Sequence, residues 1–124
     1  MADCVIEGYE ICPVYTTLDA IGGRWKPLIV WYLFQGARRY SELQRQIDGV
    51  TPKMLTQQLR ELERAGLVNR KVYPEVPPRV EYTLTPMGSS LRAVLDSMAQ
   101  WGRAQEKKLA GKSGQPKLAH AQSR

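Results

Sequence analysis

Apolar residues recur at helical spacing through the first half of this chain, give way to a short alternating stretch, and then return to helical spacing. Val14, Leu18 and Ile21 fall on one face of a helix predicted over Pro13–Ile21, with Pro at a first-turn position and Gly22-Gly23 ending it. Lys26–Phe34 (KPLIVWYLF) is almost wholly apolar. Its periodicity fits a buried strand or a buried helix equally; the preceding helix and the lack of a flanking hairpin turn favour a core helix. A third helix is expected from Ser41, where Ser41 and Gln44 form an S-x-x-Q capping box and Leu43 and Ile47 lie four apart. Asp48-Gly49 breaks the chain. Thr51-Pro52 then starts a fourth helix with Thr as N-cap, a stripe of Leu55, Leu59 and Leu62, and a stop at Gly66.

The alternating stretch follows. Leu67–Tyr73 and Arg79–Leu84 read as two strands joined by a loop rich in turn residues, a β-hairpin with an extended tip. Thr85-Pro86 repeats the N-cap and first-turn signal, opening one long helix with Met87, Leu91, Val94, Leu95, Met98 and Trp101 on adjacent stripes. That is more apolar face than one small domain needs to cover. From Lys107 the composition shifts to Gly, Ser, Gln, Pro, Lys and Ala, and disorder is expected. The organisation is an arm over 1–12, one domain over 13–106 and a basic tail over 107–124. The fold class is mainly α with a small β-hairpin wing (α+β), a winged helix-turn-helix.

Charge sharpens this picture. Of 124 residues, 18 are Lys or Arg and 12 are Asp or Glu, for a net charge of +6. Residues 1–23 carry acids and no basic residue, whereas residues 24–79 carry eleven basic residues against five acids. A basic centre with a basic tail suits a polyanionic partner. There is no run of eighteen apolar residues for a membrane span and no basic start for a secretory signal, so the cytoplasm is expected. Cys4 and Cys12 are too few for a disulfide framework and read as thiols in a reducing compartment.

Placed at 100° steps, the three leucines of the fourth helix cluster within about 60°, and Lys53, Gln57, Arg60 and Arg64 lie opposite. Such donors suit guanine edges, adenine edges and phosphates. The N-terminal half of a recognition helix enters the groove, so Lys53, Thr56, Gln57 and Arg60 are the expected base-edge contacts, with Arg64 nearer backbone or solvent. Solvated charge is the bland alternative for that face, and the preceding turn and following wing weigh against it. Arg38, Arg39, Ser41 and Thr51 suit phosphate at helix starts. Lys71 and Arg79 flank the wing tip, where Arg79 is placed to reach phosphate or a minor groove.

The blocks GGRWKPLIVWYL, RRYSELQRQIDGVTPKMLTQQLRELERAGLVNRKVY and PPRVEYTLTPMGSSL, in that order, resemble HxlR-type regulators, relatives of the MarR group, from about Cys12 to Gly102. Tyr40 stands where Phe is usual, and Thr51 where Ser is common. The resemblance implies a homodimeric winged-helix protein that binds double-stranded DNA and regulates transcription, with the first and last helices building the dimer. Val14, Leu18, Leu91, Val94, Met98 and Trp101 are the expected interface residues. Family members often carry a cysteine just before the Pro of the first helix, and several use it to sense electrophiles or oxidants; Cys12 holds that position and is the expected sensor thiol, the alternatives being an inert residue that caps the helix and a non-covalent ligand bound near the interface. At an N-cap, the helix dipole favours its thiolate, while Glu7 and Glu10 oppose it. Cys4 is a candidate resolving partner.

Other classes fit less well. The only histidine, His120, lies in the tail, so neither cysteine has an ordered base, and no phosphate loop or metal-spaced cluster occurs; no enzyme, cofactor or metal is expected. A winged helix used solely for protein contacts often lacks donors on its recognition face. RNA is disfavoured because an A-form major groove does not admit a helix. Operator, regulated genes, sign of regulation and inducer are not written in the sequence.

Overall fold

The computed structural model describes residues 5–6, 9–10 and 12–113. A two-residue pair of strands, β1 (Val5–Ile6) and β2 (Tyr9–Glu10), occupies the arm in antiparallel register, an element the sequence pattern did not announce. Helix α1 (Cys12–Ile21) follows, then α2 (Lys26–Leu33), a short strand β3 (Arg38–Arg39), α3 (Tyr40–Gln46) and α4 (Pro52–Arg64). Strands β4 (Val68–Tyr73) and β5 (Arg79–Leu84) form the expected hairpin, and β3 adds to its free edge in the order β3-β5-β4. Two residues with no alternation are too short to register as a strand, which is why β3 escaped the sequence reading.

The core follows the helical stripes. Ile29, Val30 and Leu33 of α2, Leu43 of α3, and Leu55, Leu59 and Leu62 of α4 are buried, joined by Ile21, Ile47, Val50, Leu67, Val68 and Tyr82. Each such side chain contributes on the order of 1.5–3 kcal/mol from leaving water. KPLIVWYLF is a helix, as its context suggested. The predicted α1 stripe divides: Ile21 is buried, while Val14 and Leu18 face solvent.

Several boundaries differ from expectation. Helix α3 begins at Tyr40, with Arg39 as N-cap, and the reciprocal contact is Arg39 N–H donating to Glu42 Oε1 at 2.7 Å. The Ser41–Gln44 box is therefore not used; Gln44 instead donates its Nε2 to the Val50 carbonyl at 2.6 Å, bracing the helix-turn-helix turn. That turn needs Gly49, which takes a φ of +86°.

The predicted single helix after Thr85 is two. Thr85 caps α5 (Pro86–Ser89) by accepting from Gly88 N–H, Leu91 N–H then bonds to Gly88 at three-residue spacing, and α6 starts afresh as Arg92–Ser113. Leu91 consequently lies in the turn rather than on the long helix. Gly88 is obligatory there, since a Cβ would stand 2.1 Å from the Leu67 carbonyl oxygen.

Helix α6, described by itself, buries Leu95 and exposes Val94, Met98 and Trp101. It also runs through Lys107 to Ser113, where disorder was expected. Lys, Leu and Ala are good helix formers, a local preference that a composition argument overlooks. The remainder of the tail, with Lys117, His120 and Arg124, lies outside the described residues, as does Cys4.

Candidate nucleic-acid interface

Helices α3 and α4 stand in helix-turn-helix order, and α4 is seated by its three leucines so that its other face turns outward. Thr51 caps it as expected, its Oγ1 accepting from Met54 N–H at 3.1 Å, and Pro52 fills the first turn. The outward face forms a shallow groove lined by Pro52, Lys53, Thr56, Gln57, Arg60, Glu61 and Arg64. Lys53, Gln57, Arg60 and Arg64 are exposed and Thr56 is half-buried. The structure thus brings together the four base-edge candidates, and adds Arg64 to the same surface. Among the described residues, no ion pair engages Lys53, Arg60 or Arg64.

One acid shares this face. Glu61 Oε1 lies 2.7 Å from Lys26 Nζ on α2, and Glu61 Oε2 accepts from Gln57 Nε2 at 3.3 Å. The Lys26 hydrogen bond, followed by the one from Gln57, holds the Glu61 carboxyl below the usual carboxylate range. A lone carboxylate would repel a phosphate backbone; Lys26 neutralises it. A carboxylate only accepts hydrogen bonds, so this contact also turns the NH₂ end of the Gln57 amide toward Glu61.

The sequence reading missed Glu61 and Lys26. The four-residue spacing from Gln57 to Glu61 was visible, whereas the α2–α4 ion pair joins residues far apart in the chain and left no local signal.

Tyr40, at the start of α3, is a third residue missed as part of the site. Its Oη donates to the Pro52 carbonyl at 2.9 Å and lies 3.0 Å from Thr56 Oγ1, fastening the first turns of α3 and α4 to each other. Ser41 and Thr51 are exposed beside these turns. Arg39 is also exposed. Arg38 is drawn inward: its Nη2 donates to Gln35 Oε1 and its Nη1 to the Ala37 carbonyl, both at 3.2 Å, and its Nε is enclosed without a hydrogen bond.

The wing arranges its charge differently. Arg79 Nη2 meets Glu75 Oε2 and Arg79 Nη1 meets Glu81 Oε2, each at 3.0 Å, and the guanidinium carbon lies 3.9 Å from the centre of the Tyr73 ring. The cation expected at phosphate is engaged within the hairpin. Lys71 is exposed, with Nζ 4.9 Å from the same ring centre. Val76, at the tip, is fully exposed.

Cys12 departs from expectation twice. It is the first residue of α1 rather than the residue preceding it, a shift of one position. It also stands as a disulfide cysteine, and the structure contains no free thiol among the described residues. Among those residues there is no cluster of potential metal ligands.

Comparison with known proteins places this geometry. Residues 20–109 match the family described as HxlR-like helix-turn-helix. The HTH-type transcriptional regulator YdeP of Bacillus subtilis (strain 168) is 48% identical over 96 residues, covering 77% of this chain and 75% of that protein. The reduced form of the redox regulator HypR superposes with a TM-score of 0.76 at 43% identity, over 80% of this chain and 98% of that one. The reduced form of the transcriptional regulator YodB from B. subtilis gives 0.63 at 36% identity, over 78% and 92%. The chain belongs to the HxlR-like helix-turn-helix family and is a transcriptional regulator with a DNA-binding winged helix-turn-helix, not an enzyme.

Proposed function

We propose that this protein binds a pseudo-palindromic operator in double-stranded DNA as a cytoplasmic homodimer, and that oxidants or electrophiles control the binding through Cys12. The observation that carries the DNA reading is the outward face of α4. Its Lys53, Arg60 and Arg64 have no ion-pair partner among the described residues, and Lys26 neutralises its one acid. Two symmetric copies of that face would meet half-sites about one helical turn apart. A gel shift with duplex DNA, competed by RNA of the same sequence, tests this; preference for RNA, or no shift, would refute it.

The dimer reading rests on apolar surface. On α1, Val14 and Leu18 are open, Leu18 at 55% exposure; on α6, Val94, Met98 and Trp101 are open, Trp101 at 63%. Obligate interfaces of this apolar kind often exceed about 2,000 Å² in total. Sedimentation is expected to give dimers at micromolar concentration. Monomers at that concentration would count against the interface. Among the described residues no helix is long and apolar enough to cross a membrane.

For the switch, the support is Cys12 at the first position of α1, in a disulfide, together with likeness to HypR, which is named a redox regulator and has been solved in oxidised and reduced forms. Two thiols give up two electrons and two protons to the oxidant and become a disulfide. Since α1 carries part of the proposed interface, a change at its first residue would shift one recognition helix against the other; two arrangements close in energy need only a few kcal/mol to exchange. Diamide, methylglyoxal or a quinone should release operator from the wild type and leave Cys12→Ser bound. Equal release from both proteins would remove Cys12 from the mechanism.

A further inference from the structure

We infer that Tyr40, a residue outside the recognition helix, sets what Thr56 offers to a base, and so acts as a specificity-setting positioning residue. The inference rests on the DNA-binding reading above and follows from counting protons. A phenol has one proton. The Pro52 carbonyl oxygen, 2.9 Å from Tyr40 Oη, is an acceptor only, so the phenolic proton lies between those two atoms. With the phenolic proton on the Pro52 carbonyl, the 3.0 Å contact between Tyr40 Oη and Thr56 Oγ1 is assigned to the Thr56 proton, with Tyr40 accepting. The contact is part-buried, where water competes less for either group.

Thr56 therefore comes to the α4 groove with its only donor committed. It has an acceptor lone pair and a γ-methyl left to present. In the major groove an acceptor suits the amino groups of adenine and cytosine, and a methyl suits the methyl of thymine. Guanine offers two acceptors there, N7 and O6, and gains nothing from a hydroxyl that cannot donate. The consequence is discrimination against guanine at the base facing Thr56, imposed from α3.

Selection from a random duplex library, followed by sequencing of bound DNA, tests this with four proteins: wild type, Tyr40→Phe, Thr56→Val and the double variant. Tyr40→Phe removes one oxygen and keeps the ring, so the fold is retained; thermal melting of each variant verifies this. The wild type should enrich one site and exclude guanine at one position per half-site. Tyr40→Phe frees the Thr56 proton and should admit guanine there by about three- to tenfold, the worth of one neutral hydrogen bond. Thr56→Val has no hydroxyl, so Tyr40→Phe should add no change of preference in that background.

If Tyr40→Phe leaves the preference unchanged, or weakens all sequences alike in both backgrounds, the hydroxyl serves only to fasten the helices and the inference is wrong. If the wild type enriches no duplex sequence, the failure belongs to the DNA-binding reading, and the two results are distinguishable.

Discussion

The recognition helix and the wing carry similar charge and use it in opposite ways. Helix α4 is fixed by buried leucines on one side and shows Lys53, Arg60 and Arg64 to solvent on the other, with the acid on that face, Glu61, held by Lys26. The wing has little buried anchorage beyond Val68 and Tyr82, and its Arg79 is taken by Glu75, Glu81 and the Tyr73 ring. The difference lies in the distance to the nearest carboxylate. On α4 the core holds the surface rigid and leaves the cations available to a partner. In the wing the Arg79 guanidinium is paired with two carboxylates of the same hairpin. A count of basic residues cannot tell these situations apart.

The largest expected effect sharpens the contrast in anchorage. Leu59→Ala, at a fully buried position of α4, should lower unfolding free energy by about 2–5 kcal/mol, partly through the cavity it leaves. Val72→Ala on β4, at 52% exposure, should stay within about 0.5 kcal/mol. Urea titration of both variants checks this; equal losses would mean that the wing is anchored as firmly as the helix.

The next effect concerns binding. Arg60→Ala should cost about 1–3 kcal/mol of operator affinity if it reads a base, and Lys53→Ala the same. Gln57→Ala should relax base preference at one position per half-site. Arg79→Ala should change operator affinity much less, while loosening the hairpin in amide exchange. An Arg79 effect as large as that of Arg60 would show that DNA draws the guanidinium away from its carboxylates.

A smaller effect turns the wing into something closer to α4. Replacing both acceptors, Glu75→Gln with Glu81→Gln, should release Arg79 toward phosphate. The slope of log affinity against log salt should then steepen by about 0.9, the value for one added phosphate contact. An unchanged slope would mean that the Tyr73 ring alone retains the side chain.

The smallest is a pH effect. The Glu61 carboxyl is held low in the folded protein by Lys26 and then Gln57. Its stabilising contribution is therefore present above the ordinary carboxylate range and is lost as pH falls through the lowered value. Lys26→Met should flatten the acid limb of the stability profile; the same limb in wild type and variant would assign the acid sensitivity elsewhere.

The sequence alone determined the order of the helices from α1 to α4, the hairpin, and the buried and outward faces of α4. These features depend on local periodicity, turn chemistry and the Thr51-Pro52 cap, all written within a few residues. It also determined which α4 residues face outward, because a helix with one apolar stripe has only one other side to show.

Only the tertiary structure decided where the remaining polar atoms are satisfied. Gln44 was assigned to a cap and bonds to Val50; Arg79 was assigned to phosphate and is engaged by Glu75 and Glu81. Tyr40 and Lys26 entered the site by touching α4 across 12 or more residues of chain. Periodicity records which way a side chain faces, but a hydrogen bond depends on which other atom lies within about 3 Å, and the packing of separate elements sets that distance.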